Sequence, residues 1–211
     1  LPKGLELVCY LEREDVKDAF LSAKASSLSD LPAGAVLGTS SLRRKAQALA
    51  LRPDLKVVNF RGNVQTRLQK LDDNVADATF LAMAGLNRLG IDDSRVKSIE
   101  TTELLPAVAQ GAIAIEIASD NDVMRSILKP LNHKETELRV RAERTMLDIL
   151  DGSCRTPIAG LATIKDDILT LEGRVLDEDG SNDRKGCVSG HINDPEAIGV
   201  ELGQLLKCAS S

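Results

Sequence analysis

The chain is predicted to be an α/β protein carrying a small α+β domain at its C-terminal end, and three observations predict it. Through the first half, short apolar runs alternate with segments of helical period, the pattern of a parallel-rich sheet flanked by helices. In the last third, apolar runs follow one another with only turn signals between them, the pattern of an antiparallel sheet. The 211 residues are enough for two compact domains.

The elements follow in order. "AGAVLG" reads as a short buried strand, and "SSLRRKAQALALR" as a helix with Leu42, Ala46 and Leu49 on one face. "LKVVNF" is a second strand, and "NVQTRLQKL" a helix aligning Val64, Leu68 and Leu71. "ADATFLAMA" is a third strand-like run, followed by the short helix "GLNRLG" closed by Gly90. Val16 to Leu105 is therefore expected to form one α/β domain. "LLPAVAQGAIAIEIA" reads as a crossing linker and then a strand, and "HKETELRVRAERTMLDIL" as a helix leading to the loop "DGSCRTPIAG". "GLATIK", "ILTLEGRVL" and "KGCVSGHI" are strands separated by Asp166-Asp167 and "DEDGSND". The last segment, "DPEAIGVELGQLLKCA", is a helix capped by Asp194 with Pro195 in its first turn.

Composition narrows the function classes. Hydrophobic residues at 43% with 28% charged describe a soluble globular chain, and no apolar run approaches the roughly 20 residues of a membrane helix. Neither a membrane partner nor a secretory leader is expected, so a cytoplasmic location is. Cys9, Cys154, Cys187 and Cys208 form no C-x-x-C pair and read as free thiols of a reducing compartment. His133 and His191 stand alone, and no metal site is expected.

The net charge is −5, but it is unevenly spread. Arg43, Arg44, Lys45, Arg52, Lys56, Arg61, Arg67 and Lys70 fall in one stretch opposed only by Asp54. A basic island in an acidic chain points to a local anionic ligand, and Tyr10, Phe20, Phe60 and Phe80 are too few aromatics for a nucleic-acid surface. Arg43 and Arg44 stand in the first turn of a helix, where a cation is unfavourable by up to about 1 kcal/mol. Arg61 immediately precedes the next helix start, with Asn63 as its cap, and Arg67 lies one turn further in. Helix starts along a parallel sheet open on one edge, so these arginines can converge on a cleft with no acidic partner in sequence. The ligand expected there is small and carries several carboxylates or phosphates. No P-loop or G-x-G-x-x-G fingerprint supports a nucleotide.

"GTSSLRRKAQ", "FRGNVQTRLQKL", "AGLNRLG", "LLPAVAQGAIAIE" and "DGSCRTPIAG", in that order, resemble the porphobilinogen deaminase (hydroxymethylbilane synthase) family. "LEREDVKDAF" and "LNHKETELRVRAER" extend the resemblance from the first residues to about Gly160. It implies a periplasmic-binding-protein-like lobe over residues 16–105 and an α+β domain over 133–211. Residues 1–15 and 112–129 would then be remnants of a first α/β lobe. It also implies a transferase of porphyrin and haem biosynthesis, which adds four porphobilinogen units to a dipyrromethane cofactor with loss of ammonia. Cys154 would hold that cofactor through a thioether. Arg43, Arg44, Arg61, Arg67 and Arg88 would meet the pyrrole carboxylates, and Thr39, Ser40, Ser41, Asn63 and Gln110 would supply neutral hydrogen bonds.

The family's catalytic aspartate lies in a motif upstream of Leu1, so the 211 residues alone are expected to be inactive. The resemblance implies a monomer with a small-molecule substrate and no nucleic-acid partner. Ala109 replaces a glycine usual in the family's linker, and Arg155, beside Cys154, could favour the thiolate. Two other readings stand beside this one. The first is a non-catalytic polyanion-binding module of periplasmic-binding type. The second is a thiol enzyme using Cys154, which would need a base such as His133.

Overall fold

The computed structural model describes residues 1–150 and 156–208, the side chain of Cys208 excepted. Ser153, Cys154 and Arg155, on which the sequence reading of the thiol loop rests, lie outside the described residues. The strands are β1 (Leu5–Tyr10), β2 (Asp18–Ser22), β3 (Val36–Gly38), β4 (Lys56–Val58), β5 (Ala78–Ala82), β6 (Val96–Ser98), β7 (Ala114–Ala118), β8 (Ile158–Lys165), β9 (Ile168–Val175) and β10 (Arg184–His191). The α-helices are α1 (Leu42–Leu51), α2 (Val64–Asp72), α3 (Met83–Arg88), α4 (Asp122–Leu128), α5 (Lys134–Ile149) and α6 (Pro195–Cys208).

The largest sheet has five strands in the order β4-β3-β5-β2-β6. The strand-helix units β3-α1, β4-α2 and β5-α3 form as the apolar periodicity predicts, and β3 is parallel to both β4 and β5. The sheet is nevertheless mixed, because β2 runs antiparallel to β5 and to β6. No helix crossover feeds β2; the chain enters it directly from the extended segment after β1, so nothing imposes the parallel direction there. Its side chains alternate across the sheet. Phe20 joins Leu37, Phe80 and Leu104 on the α1 face, and Ala19 and Leu21 join Leu71, Leu81 and Leu86 on the face covered by α2 and α3.

The C-terminal strands form the expected antiparallel sheet, ordered β10-β9-β8. One face packs on α5 and α6 through Ala142, Met146, Leu169, Leu171, Leu202 and Leu206. Gly173 permits that close approach, since a Cβ there would come within 2.7 Å of Met146 Sδ. The other face packs through Ala159 and Leu161 on Leu105, in the linker after β6, as a small apolar seam. A third, two-stranded sheet pairs β1 antiparallel with β7 and packs on α4 through Cys9, Ile117 and Leu128. Neither β2 nor α4 was read from the sequence.

A buried ion pair ties these parts together. Arg13, between β1 and β2, places Nη1 2.7 Å and Nη2 3.1 Å from the two carboxylate oxygens of Glu143 in α5. Glu143, fully buried, also accepts hydrogen bonds from the backbone N–H groups of Ala109 at 2.6 Å and Ala162 at 2.8 Å. One carboxylate thus joins the β1–β2 segment, the linker before β7, α5 and β8. His133 is structural: its side chain caps α5, accepting from the Thr136 N–H.

Ala109 takes φ 59°, a left-handed backbone that costs an L-residue roughly 1–2 kcal/mol. Ala109→Gly keeps the N–H that Glu143 accepts and removes that strain. The expected outcome is a stability gain of about 1 kcal/mol, measured as a higher urea midpoint with an unchanged slope.

Candidate anion-binding site

The parallel pairing of β3 and β4 opens both following helices on the same edge of the sheet. At the start of α1, Ser41 is the N-cap and accepts from the Arg44 N–H at 3.4 Å. Thr39 accepts from the Ser41 N–H at 3.2 Å. Ser40 accepts from the Phe60 N–H at 2.9 Å and hydrogen-bonds the Asn59 side chain, joining the β3–α1 and β4–α2 loops. At the start of α2, Asn63 caps the helix by accepting from the Thr66 N–H at 2.8 Å.

Two hollows flank the first turn of α1. The larger, about 330 Å³, lies between Ser40, Ser41, Leu42 and Arg43 on one side and Val108, Leu147, Thr156 and Ile158 on the other. The smaller, about 250 Å³, is lined by Thr39, Lys45, Asn59 and Arg61 and shares Ser40, Ser41 and Leu42 with the first. No Asp or Glu among the described residues lines either one, so their charged groups are all cationic.

Beneath them lies an interaction that sequence reading missed. Arg43 and Arg44 are buried and share the carboxylate of Asp18 in β2, which is fully buried. Arg44 Nη2 donates to Asp18 Oδ1 at 2.6 Å and Arg43 Nη1 lies 2.8 Å from Oδ2. The expectation that these arginines have no acidic partner is therefore corrected: Asp18, some two dozen positions upstream, reaches them only through the antiparallel pairing of β2 with β5. The buried faces of α1 are correspondingly polar, with Arg43, Arg44 and Gln47 inside together with Ala46 and Ala48, while Leu42 and Leu49 are only half-buried.

Gln110 completes the cluster. Its Nε2 donates to Asp18 Oδ1 at 3.1 Å and to the Val16 carbonyl at 2.7 Å, and its Oε1 accepts from Arg43 Nη2 at 3.2 Å. Arg43 and Arg44 also donate to the carbonyls of Leu105 and Phe80 at 2.7 and 3.1 Å. Burial pushes the Asp18 carboxyl upward, but the facing Arg44 and Arg43 guanidiniums outweigh it and hold the group below the usual aspartate range. Burial lowers Arg43 in turn, Asp18 opposes that shift, and Arg44 adds to it. One carboxylate facing two guanidiniums leaves the cluster with a net positive charge, since arginine stays protonated.

The remaining predicted residues divide between this neighbourhood and its surroundings. Arg61 is exposed in the smaller hollow, and among the described residues its guanidinium has no hydrogen-bond or ion-pair partner. Arg67 is half-buried and donates to the Gly62 carbonyl at 2.9 Å; burial, then the charge of Arg44, lowers its pKa. Arg88 lies apart at the C-terminal end of α3, exposed, in the field of Glu14. Asp18 could have been sought as the carboxylate inside an otherwise apolar strand, "DAFLS", although nothing in the sequence says which cations it would meet.

The class the fold defines is an α/β framework with a cleft at the helix-start edge of its sheet, where the charged lining groups among the described residues are cationic. Residues 1–126 match the family model described as "Porphobilinogen deaminase, dipyromethane cofactor binding domain", and residues 137–207 match the model of the same family's C-terminal domain. The porphobilinogen deaminase of Paracoccus denitrificans is 53% identical over 206 residues, covering 98% of this chain and 66% of the relative. That of Nitrobacter hamburgensis is 49% identical over 207 residues with the same coverage. The chain thus spans 66% of the length of these curated relatives, and it belongs to the porphobilinogen deaminase family. Among solved structures, a Salmonella typhimurium periplasmic binding protein of high arginine specificity aligns with 63% of this chain and 59% of its own at 12% identity and a TM-score of 0.40. No helix among the described residues is long and apolar enough to cross a membrane.

Asp18→Asn leaves two buried guanidiniums without their carboxylate and is expected to cost about 3 kcal/mol at neutral pH. A depressed carboxyl pKa contributes stability that is present above the unfolded-state value, near 4, and is lost as pH falls through the lower folded-state value. The gap between wild type and variant, measured by urea denaturation, should therefore narrow as the solution is acidified below about pH 4.

Proposed function

We propose that this chain supplies the carboxylate-binding and cofactor-holding parts of a porphobilinogen deaminase. The observation that carries this reading is the larger hollow. One wall is the Ser40–Arg43 turn, and the other includes Thr156 and Ile158, immediately after the segment that contains Cys154. A group tethered at Cys154 would enter beside the cations of α1. The surroundings suit an anionic group: Nε of Arg43 is buried without a hydrogen-bond partner among the described residues, and Arg61 is unpaired.

When bound, the dipyrromethane would supply the free pyrrole carbon at which the chain starts, the first porphobilinogen joining there as ammonia leaves and each later one joining the ring added before it. This chain's residues bind and orient. Arg43, Arg44 and Arg67 set a positive potential, and Arg61 takes a carboxylate directly. Each charged hydrogen bond contributes on the order of 1.5–3 kcal/mol. Thr39, Ser40, Ser41, Asn63 and Gln110 mainly hold the loops and the arginines in place, since their side chains are already committed to backbone groups and to Asn59, Thr66, Asp18 and Arg43. Arg88, beside Glu14 at the end of α3, lines neither hollow and has no direct part in this reading. Because each added unit brings further carboxylates, a cleft with no acidic lining among the described residues suits a ligand whose charge grows.

Residues 16–105 and 133–211 act as the second and third domains in this reading, and residues 1–15 with 112–129 as part of a first. The apolar Val123, Ile127 and Leu131, each more than half exposed, would be covered by the rest of that first domain. The polyanion-binding module is not favoured by the family assignment, and Cys154 serves as an anchor rather than a nucleophile.

Intact mass of the full-length protein made in cells should carry an adduct of dipyrromethane mass that Cys154→Ala abolishes; unmodified folded wild-type protein would sink the assignment. Arg61→Ala in the same protein should raise KM for porphobilinogen about tenfold, the loss of roughly 1.4 kcal/mol of carboxylate binding.

A further inference from the structure

The helix that carries Arg43 and Arg44 is gripped from the far side by the C-terminal domain. Arg174 in β9 is buried, and its Nη1 donates to Gln47 Oε1 at 2.9 Å in the middle of α1. The rest of its guanidinium forms a two-point pair with Asp183, Nε to Oδ1 at 2.8 Å and Nη2 to Oδ2 at 2.9 Å. Arg174 and Asp183 bracket the β9–β10 loop, so the pair fixes that loop at its base. Gln47 passes the link onward, exchanging hydrogen bonds with both backbone groups of Leu105 at 2.9 Å, and the Leu105 carbonyl also accepts from Arg43 Nη1 at 2.7 Å.

The tip of the loop lies on α1 itself. Gly180 has φ +87°, and a Cβ built there would sit 2.4 Å from the Ala50 nitrogen and 2.8 Å from the Ala46 oxygen. These are helix backbone atoms, which cannot swing aside as a side chain could. Lys45 of α1 pairs with Glu178 of the loop at 3.3 Å, a solvent-screened contact that adds little.

We infer that the β9–β10 loop is a strap by which the C-terminal domain positions α1, with Gly180 and Arg174 as positioning residues for the anion-binding arginines although neither contacts the ligand. The strap makes α1 and the C-terminal sheet one body, so both walls of the larger hollow keep their spacing while the growing ligand changes length. The geometric part stands on the contacts alone; its effect on ligand binding rests on the carboxylate-binding reading above.

Gly180→Ala is the direct test, with Gly90→Ala as its control. Gly90 also has a left-handed φ, +61°, but nothing lies within 4 Å of the Cβ it would gain. In hydrogen exchange on the 211-residue chain, Gly180→Ala should raise exchange of the α1 amides about tenfold while α5 stays protected, and Gly90→Ala should leave α1 as in wild type. In full-length enzyme, Gly180→Ala should raise KM for porphobilinogen severalfold with kcat little changed, as expected for a displaced binding helix. Wild-type exchange in α1 overturns the strap. Faster α1 exchange with unchanged KM overturns the positioning role, and leaves the carboxylate-binding reading to its own test at Arg61. Should Gly180→Ala fail to fold, Arg174→Lys serves instead, since a single ammonium cannot hold Gln47 and Asp183 together in that geometry; the same two readouts decide.

Discussion

Everything at the helix-start edge of the five-stranded sheet depends on one buried carboxylate. Two adjacent arginines in the first turn of α1 oppose the helix dipole, repel one another and lose most of their hydration on burial. Asp18 makes that arrangement tolerable by facing both, and the carbonyls of Leu105 and Phe80 and the amide of Gln110 occupy further guanidinium hydrogens. The compensation is incomplete by one charge. That residual positive potential sits under two hollows whose charged lining groups are cationic, and it is what the cleft can offer an anion before any ligand arrives.

The same economy governs the joins between sheets. The apolar seam between the C-terminal sheet and Leu105 of the linker is small, and much of the connection to the rest of the chain is polar and buried. Arg13–Glu143 and Asp183–Arg174–Gln47 each link separate chain segments through side chains with nearly every donor and acceptor engaged. Buried ionic contacts are costly to form and costlier to leave half-made, so they specify one relative placement of the parts more sharply than apolar contact would. A cleft assembled from α1, the linker before β7 and the start of β8 needs that placement, because none of those elements alone has more than one wall of it.

Family membership and local geometry bear on different questions. The matches over residues 1–126 and 137–207 say what kind of protein the chain comes from. They do not distinguish the arginines, and here the geometry does. Among the described residues the Arg61 guanidinium has no partner, whereas Arg43 and Arg44 are held by Asp18. Arginines that look equivalent as neighbours in sequence therefore differ in burial and partner.

Much was legible in the sequence because it depends on local period and cap chemistry. The units β3-α1, β4-α2 and β5-α3, the three antiparallel C-terminal strands, and the cap Asn63 all follow from side chains within a few positions of the backbone they serve. The basic island and the motifs of the family were equally visible. Tertiary structure alone decided the direction of β2, the burial of Arg43 and Arg44, and the partnership of Asp18 with both. It also seated Gly180 against α1. Each of these joins residues far apart in the chain, and the energy that settles them, the desolvation of a charge against its pairing across strands, has no local signature in the order of the residues.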